Sequence, residues 1–271
     1  MAPMQQTALP KLVYSCYHTQ NRSGEQFVPE HILSFQLSGS LKIEDSNGQH
    51  YVFEEGSIRF HQRNHLLKFY KQLPAGGKDF TSLSVYFDQQ TLRNFCMEYG
   101  YTPVNMHQDK AIVLLKPGGL YKSFLHSLQP YDQIDRLGNE RLLALKLKEA
   151  VLILLQSNPE LAEILFDFSP PGKIDLEAFM LKNYLFNVSL ERFAYLTGRS
   201  MASFKRDFEK LFHTSPGRWL QQQRLKEAYY RIKEKGMRPS DVYLDVGFED
   251  LSHFSFSFKK AYGVAPSSLA W

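Results

Sequence analysis

Two adjacent cations, Lys205 and Arg206, lie in a segment whose aromatic residues repeat at helical spacing. Ammonium and guanidinium groups can donate hydrogen bonds to the acceptor edge of guanine in the major groove, so this pair could discriminate between base pairs. All of the excess positive charge lies in the same part of the chain. Residues 174–271 contain 15 Lys/Arg and 11 Asp/Glu, whereas residues 1–173 contain 17 of each. This distribution favours contact between the C-terminal third and a polyanion.

A search for catalytic or metal-binding constellations gives no comparable pattern. The sequence contains no G-x-S-x-G elbow, P-loop or dinucleotide fingerprint. The nearest metal candidate, the pair His61 and His65, has no glutamate at suitable spacing, so no metal ion or other cofactor is expected. Cys16 and Cys96 are expected to be buried small residues rather than nucleophiles. The sequence therefore predicts no catalytic residues and no enzyme.

Composition and targeting signals favour a cytoplasmic protein. Two cysteines are too few for a disulfide scaffold, which fits a reducing compartment. Residues 1–10 lack the basic and apolar regions of a signal peptide. The most apolar stretch, Leu142–Leu155, is interrupted by charges and is too short to span a bilayer, so no membrane association is expected.

The chain of 271 residues is long enough for two domains, and its pattern changes along its length. Two prolines and a glycine in residues 167–173 predict a linker between a domain of residues 1–166 and one of residues 174–271. Short strands, separated by turn residues, are predicted at residues 32–37, 41–43, 50–53, 57–60, 66–70 and 81–87. Helical spacing begins near Gln89. The predicted fold class is α+β, with an N-terminal cupin-like β-barrel plus helices and an all-α C-terminal domain.

The C-terminal domain contains two similar helix-turn-helix patterns. In the first unit Ser189 caps a short helix, Gly198 can adopt a positive φ in the turn, and Ser200 caps a second helix. In the second unit Ser240 is the predicted first cap and Gly247 the turn. Asp250 or Ser252 is the predicted start of its second helix. A short helix, a tight turn and a capped helix with a polar outer face form the geometry that inserts a helix into the major groove.

One long helix is predicted between the two units. It extends from Gly217 to Lys235, with Pro216 at its favoured early position. Its length of roughly 28 Å is close to the roughly 34 Å between successive major-groove openings on one face of DNA. This spacing favours a protein that contacts two adjacent grooves.

The region Ser189–Trp271 resembles the DNA-binding domain of the AraC/XylS family of bacterial transcriptional regulators. The resemblance is carried by the motifs LTGRS at 196–200, FKRDF at 204–208, SP at 215–216, VGFEDLSHF at 246–254 and FKKAYGVAP at 258–266. It implies a regulator, commonly an activator, that binds double-stranded promoter DNA with a second copy of itself and recruits RNA polymerase. The N-terminal part resembles the sensing and dimerisation half of that family through weaker motifs, near Gly56 and His65.

The resemblance also assigns the candidate DNA contacts. In the first unit they are Ala202, Ser203, Lys205 and Arg206, with Arg199 as a further candidate. In the second they are Leu251, Ser252, Ser255 and Phe256. Lys259 and Lys260 are added because they lie near the end of the second helix, where they could contact phosphates. Two departures from the family pattern concern the second unit. Tyr243 stands at the helix crossing where the first unit has the small Ala194, and Phe256 stands where arginine is frequent. We expect Tyr243 to be displaced or the crossing to widen, and the second unit to contribute less base discrimination.

Three alternatives remain open at the level of sequence. A cupin-like small-molecule-binding protein or enzyme with an appended helical domain is the rival to a regulator. For a regulator, the input is either a small-molecule effector bound among the aromatic residues of the first half or a protein partner. The stripe Leu120, Phe124, Leu125 and Leu128, within helices predicted between residues 111 and 157, serves either a homodimer interface or the core of its own domain.

Overall fold

The computed structural model describes residues 11–18, 26–104, 110–129 and 140–269. The chain has the α+β class expected from the sequence, with strands preceding most of the helices. The strands are β1 (Leu12–Tyr17), β2 (Phe27–Val28), β3 (His31–Ser38), β4 (Ser40–Asp45), β5 (His50–Phe53), β6 (Ile58–His61), β7 (His65–Gln72), β8 (Phe80–Phe87) and β9 (Ile112–Leu115). The N-terminal helices are α1 (Gln89–Tyr99), α2 (Gly119–Leu128), α3 (Glu140–Ser157) and α4 (Ala162–Leu165), with a 3-10 helix at Pro159–Leu161.

The strands pair into two antiparallel sheets. One has the order β1-β8-β3-β6-β9 and the other has the order β2-β7-β4-β5. The expected closed barrel is therefore replaced, among the described residues, by two separate sheets. The six predicted strands correspond to β3–β8, whereas β1, β2 and β9 were not predicted.

Apolar residues on one face of the five-stranded sheet pack against the N-terminal helices. Phe35 and Phe87 of the sheet share a buried cluster with Phe124 of α2 and Leu154 of α3. The expected helical period after Gln89 is confirmed by these helices, except that strand β9 lies between α1 and α2. Burial of such large side chains contributes about 1.5–3 kcal/mol each, so this cluster is a main source of stability for the first half.

In the described part of the C-terminal half, up to residue 269, the chain forms six α-helices. They are α5 (Leu176–Asn183), α6 (Leu190–Leu196), α7 (Met201–Phe212), α8 (Pro216–Lys233), α9 (Pro239–Asp245) and α10 (Leu251–Tyr262), followed by a 3-10 helix at Pro266–Leu269. Two buried clusters divide these helices. Phe193, Phe204 and Phe208 belong to one cluster with Trp219, and Val242, Phe254 and Phe258 belong to the other with Leu225 and Ala228. Helix α8 contributes to both clusters.

The two halves contact each other through β2, β7 and the segment between α4 and α5. Phe27 of β2 and Leu66 of β7 are buried in the cluster around Phe193. The backbone N–H of Gln26 donates to the carbonyl of Asn187, and the Asn187 N–H donates to Gln26 Oε1. The first half therefore completes part of the apolar core of the helical half.

Candidate nucleic-acid interface

Each helix of the first unit begins at a serine cap. The Ser189 hydroxyl accepts a hydrogen bond from the Arg192 N–H at 3.3 Å, and the Ser200 hydroxyl accepts from the Ser203 N–H at 3.3 Å. These caps satisfy backbone donors that an isolated helix leaves open. Both predicted caps are confirmed, and they define α6 and α7 as the helix-turn-helix pair.

The turn glycines of the two units have positive φ and closely packed surroundings. Gly198 has φ 64° and Gly247 has φ 90°. A Cβ at Gly198 would collide with the backbone of Gly172 and Lys173, and one at Gly247 would lie 2.8 Å from the Arg224 guanidinium. Both turns therefore require glycine for conformation and for space.

The outer face of α7 carries the cations predicted from the sequence. Ala202, Lys205 and Arg206 are exposed, and Ser203 is half-buried. The side chain of Arg206 is 66% exposed, with its Nε 3.5 Å from Asp207 Oδ1. An exposed ion pair of this kind contributes little stability, so the guanidinium can exchange Asp207 for a base or a phosphate at small cost. The DNA contacts of these residues stay a prediction.

Arg199, also a candidate DNA contact, is less exposed than the cations of α7. Its side chain is only 9% exposed, and its Nε donates to Asp207 Oδ2 at 3.2 Å. Its Nη1 donates to the carbonyls of Ile174 and Thr197. The hydrogen bond from Arg199 keeps the pKa of Asp207 below its usual value. Because Nε and Nη1 both donate within the protein, Arg199 stabilises the turn, and its contact with DNA stays a prediction.

The second unit begins differently from the first. Helix α9 starts at Pro239, with Arg238 at the cap position and no side-chain capping bond, so Ser240 is inside the helix rather than its cap. Proline fixes a helical φ and needs no N–H partner at this position, which explains the earlier start. In contrast, Asp250 is the cap of α10, as predicted, because its carboxylate accepts from the His253 N–H at 2.6 Å.

At the two positions where α7 carries Lys205 and Arg206, the outer face of α10 carries uncharged side chains. Phe256 is 70% exposed, and it lies six residues after the cap, as Arg206 does in α7. Ser255, five residues after the cap, is half-buried and takes the place of Lys205. The remaining candidates are all exposed: Leu251, Ser252, Lys259 and Lys260. Hydroxyl and apolar groups distinguish base pairs less sharply than a guanidinium does.

The helix crossing of the second unit accommodates Tyr243 at its edge. Ala194 is buried at the crossing of the first unit, whereas Tyr243 is half-buried and packs against the outside of the second cluster. Val242, the preceding residue, is the fully buried one. The partial exposure of Tyr243 therefore agrees with the outward displacement expected from the sequence.

Helix α8 joins the two units and contributes the half-buried Arg224. Its length of 18 residues corresponds to roughly 27 Å, close to the predicted rod. Arg224 donates to the carbonyls of Tyr184, Phe186 and Gly247, at 2.7–2.8 Å. Burial lowers the pKa of Arg224 to about 10, so the group still carries its charge at neutral pH. One side chain thus connects the turn of the second unit to the loop after α5.

A second cation at this unit, the buried Lys68, comes from the other half of the chain and was not singled out in the sequence. Its Nζ donates to the carbonyl of Asp245, at the C-terminal end of α9, and lies 5.2 Å from the Phe186 ring. A cation is favoured at this end of a helix by the helix dipole. Burial lowers the pKa of Lys68, which is the cost of placing the charge there. The sequence feature that could have identified Lys68 is its position as a charged residue in an otherwise apolar part of β7.

A cavity of about 580 Å³ lies between the two halves, beside these contacts. Its lining includes His31, Arg63, Leu66, Phe179, Lys182 and Asn183. Arg63 Nη2 donates to the carbonyls of Asp167 and Ser169, in the segment predicted as linker. Burial, followed by the charges of Arg63 and His65, lowers the pKa of His31 to about 3, so this imidazole is neutral. The cavity therefore combines the neutral imidazole of His31 with apolar, cationic and acidic side chains, the last being Asp167 and Asp175.

The histidine pair considered as a metal candidate is not part of a three-ligand group. Within the described ranges, His61 and His65 belong to no cluster of three metal-binding side chains. His61 is buried, and its Nε2 accepts a hydrogen bond from Arg59 Nε at 3.2 Å. Burial lowers the pKa of His61, which keeps the imidazole neutral and suits this hydrogen bond. Of the two cysteines, Cys96 is buried as expected, but Cys16 is exposed because it lies on the edge strand β1.

Comparison with known proteins gives a separate match for each half of the chain. The profile of a helix-turn-helix domain family matches residues 193–270, and the profile of the ExsA N-terminal regulatory domain matches residues 31–164. The HTH-type transcriptional regulator ExsA of Pseudomonas aeruginosa is 25% identical over 245 residues, which cover 85% of this chain and 82% of ExsA.

Other similarities are shorter or are limited to the fold. The virulence regulon transcriptional activator VirF of Yersinia enterocolitica is 30% identical over 92 residues, or 34% of each chain. Among solved structures, the apo form of a ToxT variant from Vibrio cholerae covers 96% of this chain and 97% of its own, with 14% identity and a TM-score of 0.46. No helix in the described ranges combines the length and apolar content needed to cross a membrane.

Proposed function

We propose, from the premise that the chain belongs to the AraC family of helix-turn-helix transcriptional regulators, that it activates promoters by contacting two successive major grooves. Helix α7 inserts into one groove and α10 into the next, and the bound regulator contacts RNA polymerase. The N-terminal half receives the signal, either a small-molecule effector or a protein partner. The protein acts in the cytoplasm and without a catalytic step.

One observation carries this proposal: two capped helices with solvent-exposed outer faces are attached to the same continuous helix. The outer faces of α7 and α10 remain exposed although the N-terminal half packs against α6 and α9. A groove-binding helix needs this accessibility, since it must place its side chains on base edges. The net positive charge of residues 174–271 adds the phosphate attraction that supports DNA binding.

The cavity between the halves is the site we propose for a small-molecule effector. It is bordered by α5 on one side and by β3 and the β6–β7 turn on the other. A molecule bound there would contact both halves, so it could change how they are positioned relative to each other. A protein partner would instead contact the outside of the N-terminal half.

The direct test of the function compares Arg206→Ala with Arg141→Ala in the full chain. Arg141 is an exposed arginine at the start of α3, so its substitution removes the same charge far from α7. We expect Arg206→Ala to weaken binding to a site selected from genomic DNA by about 1–3 kcal/mol and to relax one base preference. Arg141→Ala should bind like the wild type.

Gel-shift titrations on the selected site and on unrelated DNA, at two salt concentrations, provide the measurement. Equal weakening on both DNAs would mean that Arg206 contacts only phosphate. Failure of the wild type to select any site would contradict the proposed function itself.

The dimer interface is proposed on α3, after a correction to the stripe inferred from the sequence. Phe124 and Leu128 are fully buried in their own domain, so they cannot form an interface with a second copy. Leu142, Leu145 and Leu152 are exposed instead, and their spacing of three and seven residues places them on one face of α3. A helix face of this kind can pair with the same face of a second copy.

Substitution of Leu145, which is 60% exposed, tests the dimer without disturbing a core. We expect Leu145→Asp to shift the full chain from dimer to monomer in sedimentation velocity, because two aspartates would be desolvated at the interface. Leu181→Asp on α5 is the matched control, since Leu181 is also exposed but belongs to the other half. A monomeric wild type, or a Leu145→Asp dimer as stable as the control, would contradict the proposal.

A further inference from the structure

Three side chains with metal-binding atoms converge at the free edge of the five-stranded sheet. Cys16 lies on β1, and His18 follows two residues later, directly after the strand ends. Asp79 immediately precedes β8, the neighbour of β1. Tyr17 pairs with Phe80 in this antiparallel ladder, so His18 comes opposite Asp79. The backbone pairing therefore brings together residues separated by about 60 positions in the sequence, which spacing alone does not reveal.

The donor atoms are close enough to share one ion. His18 Nδ1 lies 2.7 Å from Asp79 Oδ1, and Cys16 Sγ lies 3.7 Å from Asp79 Oδ2. The three ligand atoms lie within 4.8 Å of one another. Around a tetrahedral Zn²⁺ with bonds of about 2.0–2.3 Å, neighbouring ligand atoms are roughly 3.3–3.8 Å apart. Rotations of these surface side chains are sufficient to reach that geometry, since His18 is 79% exposed.

We propose that Cys16, His18 and Asp79 form a binding site for a divalent transition-metal ion of the Zn²⁺ class. Thiolate, imidazole and carboxylate together are the donors that Zn²⁺ accepts, whereas Mg²⁺ and Ca²⁺ require oxygen ligands. The two negative charges of the thiolate and the carboxylate balance the charge of the ion. Water occupies the fourth position because the site is open to solvent.

The ion would connect the edge strand β1 to the turn before β8. Among the described strands β1 pairs with β8 alone, so one of its two edges has no neighbour. A ligand on each side of the β1–β8 ladder adds a cross-link at the point where the ladder ends. Binding of the ion to the folded protein stabilises the protein by mass action. This stabilisation depends on the three ligands and not on DNA binding. The proposal is therefore independent of the proposed function.

Cobalt provides the spectroscopic probe for the site in the untagged full chain. The protein is treated with chelator, freed of it under a non-chelating reductant, and titrated with Co²⁺. We expect one equivalent to bind with a thiolate-to-cobalt charge-transfer band and with visible bands of tetrahedral intensity. One equivalent of Zn²⁺ should then displace the Co²⁺ and raise the thermal unfolding midpoint.

Variants assign the site to the three residues. Cys16→Ser should abolish the charge-transfer band, and His18→Ala should weaken Co²⁺ binding by more than about tenfold, the loss caused even by removal of an outer partner of a metal ligand. Cys96→Ala, at the buried second cysteine, and His50→Ala, at an exposed histidine of β5, are the matched controls and should bind like the wild type. No stoichiometric Co²⁺ binding, or a charge-transfer band that persists in Cys16→Ser, would overturn the proposal. Binding that is equally strong in His18→Ala and His50→Ala would overturn it as well.

Discussion

The two helix-turn-helix units share one backbone plan but differ in the faces they expose. Each has a seven-residue helix, a glycine with positive φ and a capped helix of 12 residues. Four residues after the cap, Phe204 in α7 and Phe254 in α10 are both fully buried. Six residues after it, the first unit exposes Arg206 and the second exposes Phe256. The buried positions determine the common fold, and the exposed positions leave each unit free to differ in chemistry.

The units also differ in how they are attached to the rest of the molecule. The first packs against the N-terminal half through an aromatic contact, with the Phe27 ring 6.5 Å from Tyr195 and 4.6 Å from the Arg192 guanidinium. Arg199 of the first unit also donates to one carbonyl outside the unit, that of Ile174. In contrast, Arg224 and Lys68 together donate to four carbonyls at the attachment of the second unit. Apolar packing tolerates small displacements, whereas buried carbonyls that lose their donors are costly. The second unit should therefore be the more sensitive to a single substitution at its attachment.

The largest expected effect is that of Arg224→Met, which keeps the length of the side chain and removes its donors. Three carbonyls, those of Tyr184, Phe186 and Gly247, would lose the hydrogen bonds that Arg224 donates. We expect a loss of about 3 kcal/mol in the free energy of unfolding, because each buried unsatisfied group costs about 1–3 kcal/mol and water can compensate part. Urea denaturation followed by fluorescence is the measurement, since Trp219 is buried in this half.

Arg218→Met is the control for this prediction. Arg218 is exposed near the start of the same helix, so its substitution should change stability by less than about 0.5 kcal/mol. Similar losses of unfolding free energy in both variants would show that the stability of the second unit does not depend on the Arg224 guanidinium. The proposed difference in attachment between the units would then disappear.

The smaller effect concerns base discrimination within a selected DNA site. Base changes under α7 should cost about 1–3 kcal/mol where Lys205 or Arg206 contacts a base edge, because these donors distinguish base pairs. Changes under α10 should cost less than about 1 kcal/mol, with at most a preference for thymine near Phe256, since apolar groups favour only its methyl. These values are obtained by measuring how tightly the protein binds a set of DNA sites that contains every single-base change.

Footprints of variants in either helix assign each half-site to its unit. Equal or larger losses of binding free energy under α10 would contradict the inference that the cations of α7 discriminate base pairs more sharply than the side chains of α10. The two units would then differ only in how they are attached to the rest of the molecule.

The parts of the structure that sequence predicted are those governed by local patterns. Caps at Ser189, Ser200 and Asp250 and turns at Gly198 and Gly247 are recognisable because each requirement lies within a few residues. The same holds for the six strands with alternating or continuous apolar residues. Local patterns also place Lys205 and Arg206 on an outer helix face, where the structure exposes them.

The missed features depend on contacts between distant segments. Strand β2 has only two residues, and its Phe27 is buried by the other half of the chain. The hydrogen bond from Arg199 to Asp207 was not predicted, because the fold of the turn determines how close the two side chains lie. Cys16 looked like a core residue because nothing in the sequence marks β1 as an edge strand. Each error comes from burial that only tertiary packing decides.

The continuous helix α8 sets the phase between the two units as well as their separation. In an α-helix each added residue advances the chain by about 1.5 Å but rotates everything beyond it by about 100°. Insertion of one residue into α8 would therefore turn α10 away from the DNA long before it changed the distance between grooves. A change in the spacing between the two DNA half-sites would therefore require α8 to lengthen or shorten by whole helical turns. A flexible connection would tolerate intermediate lengths, so this geometry restricts the set of promoters that such a protein can acquire.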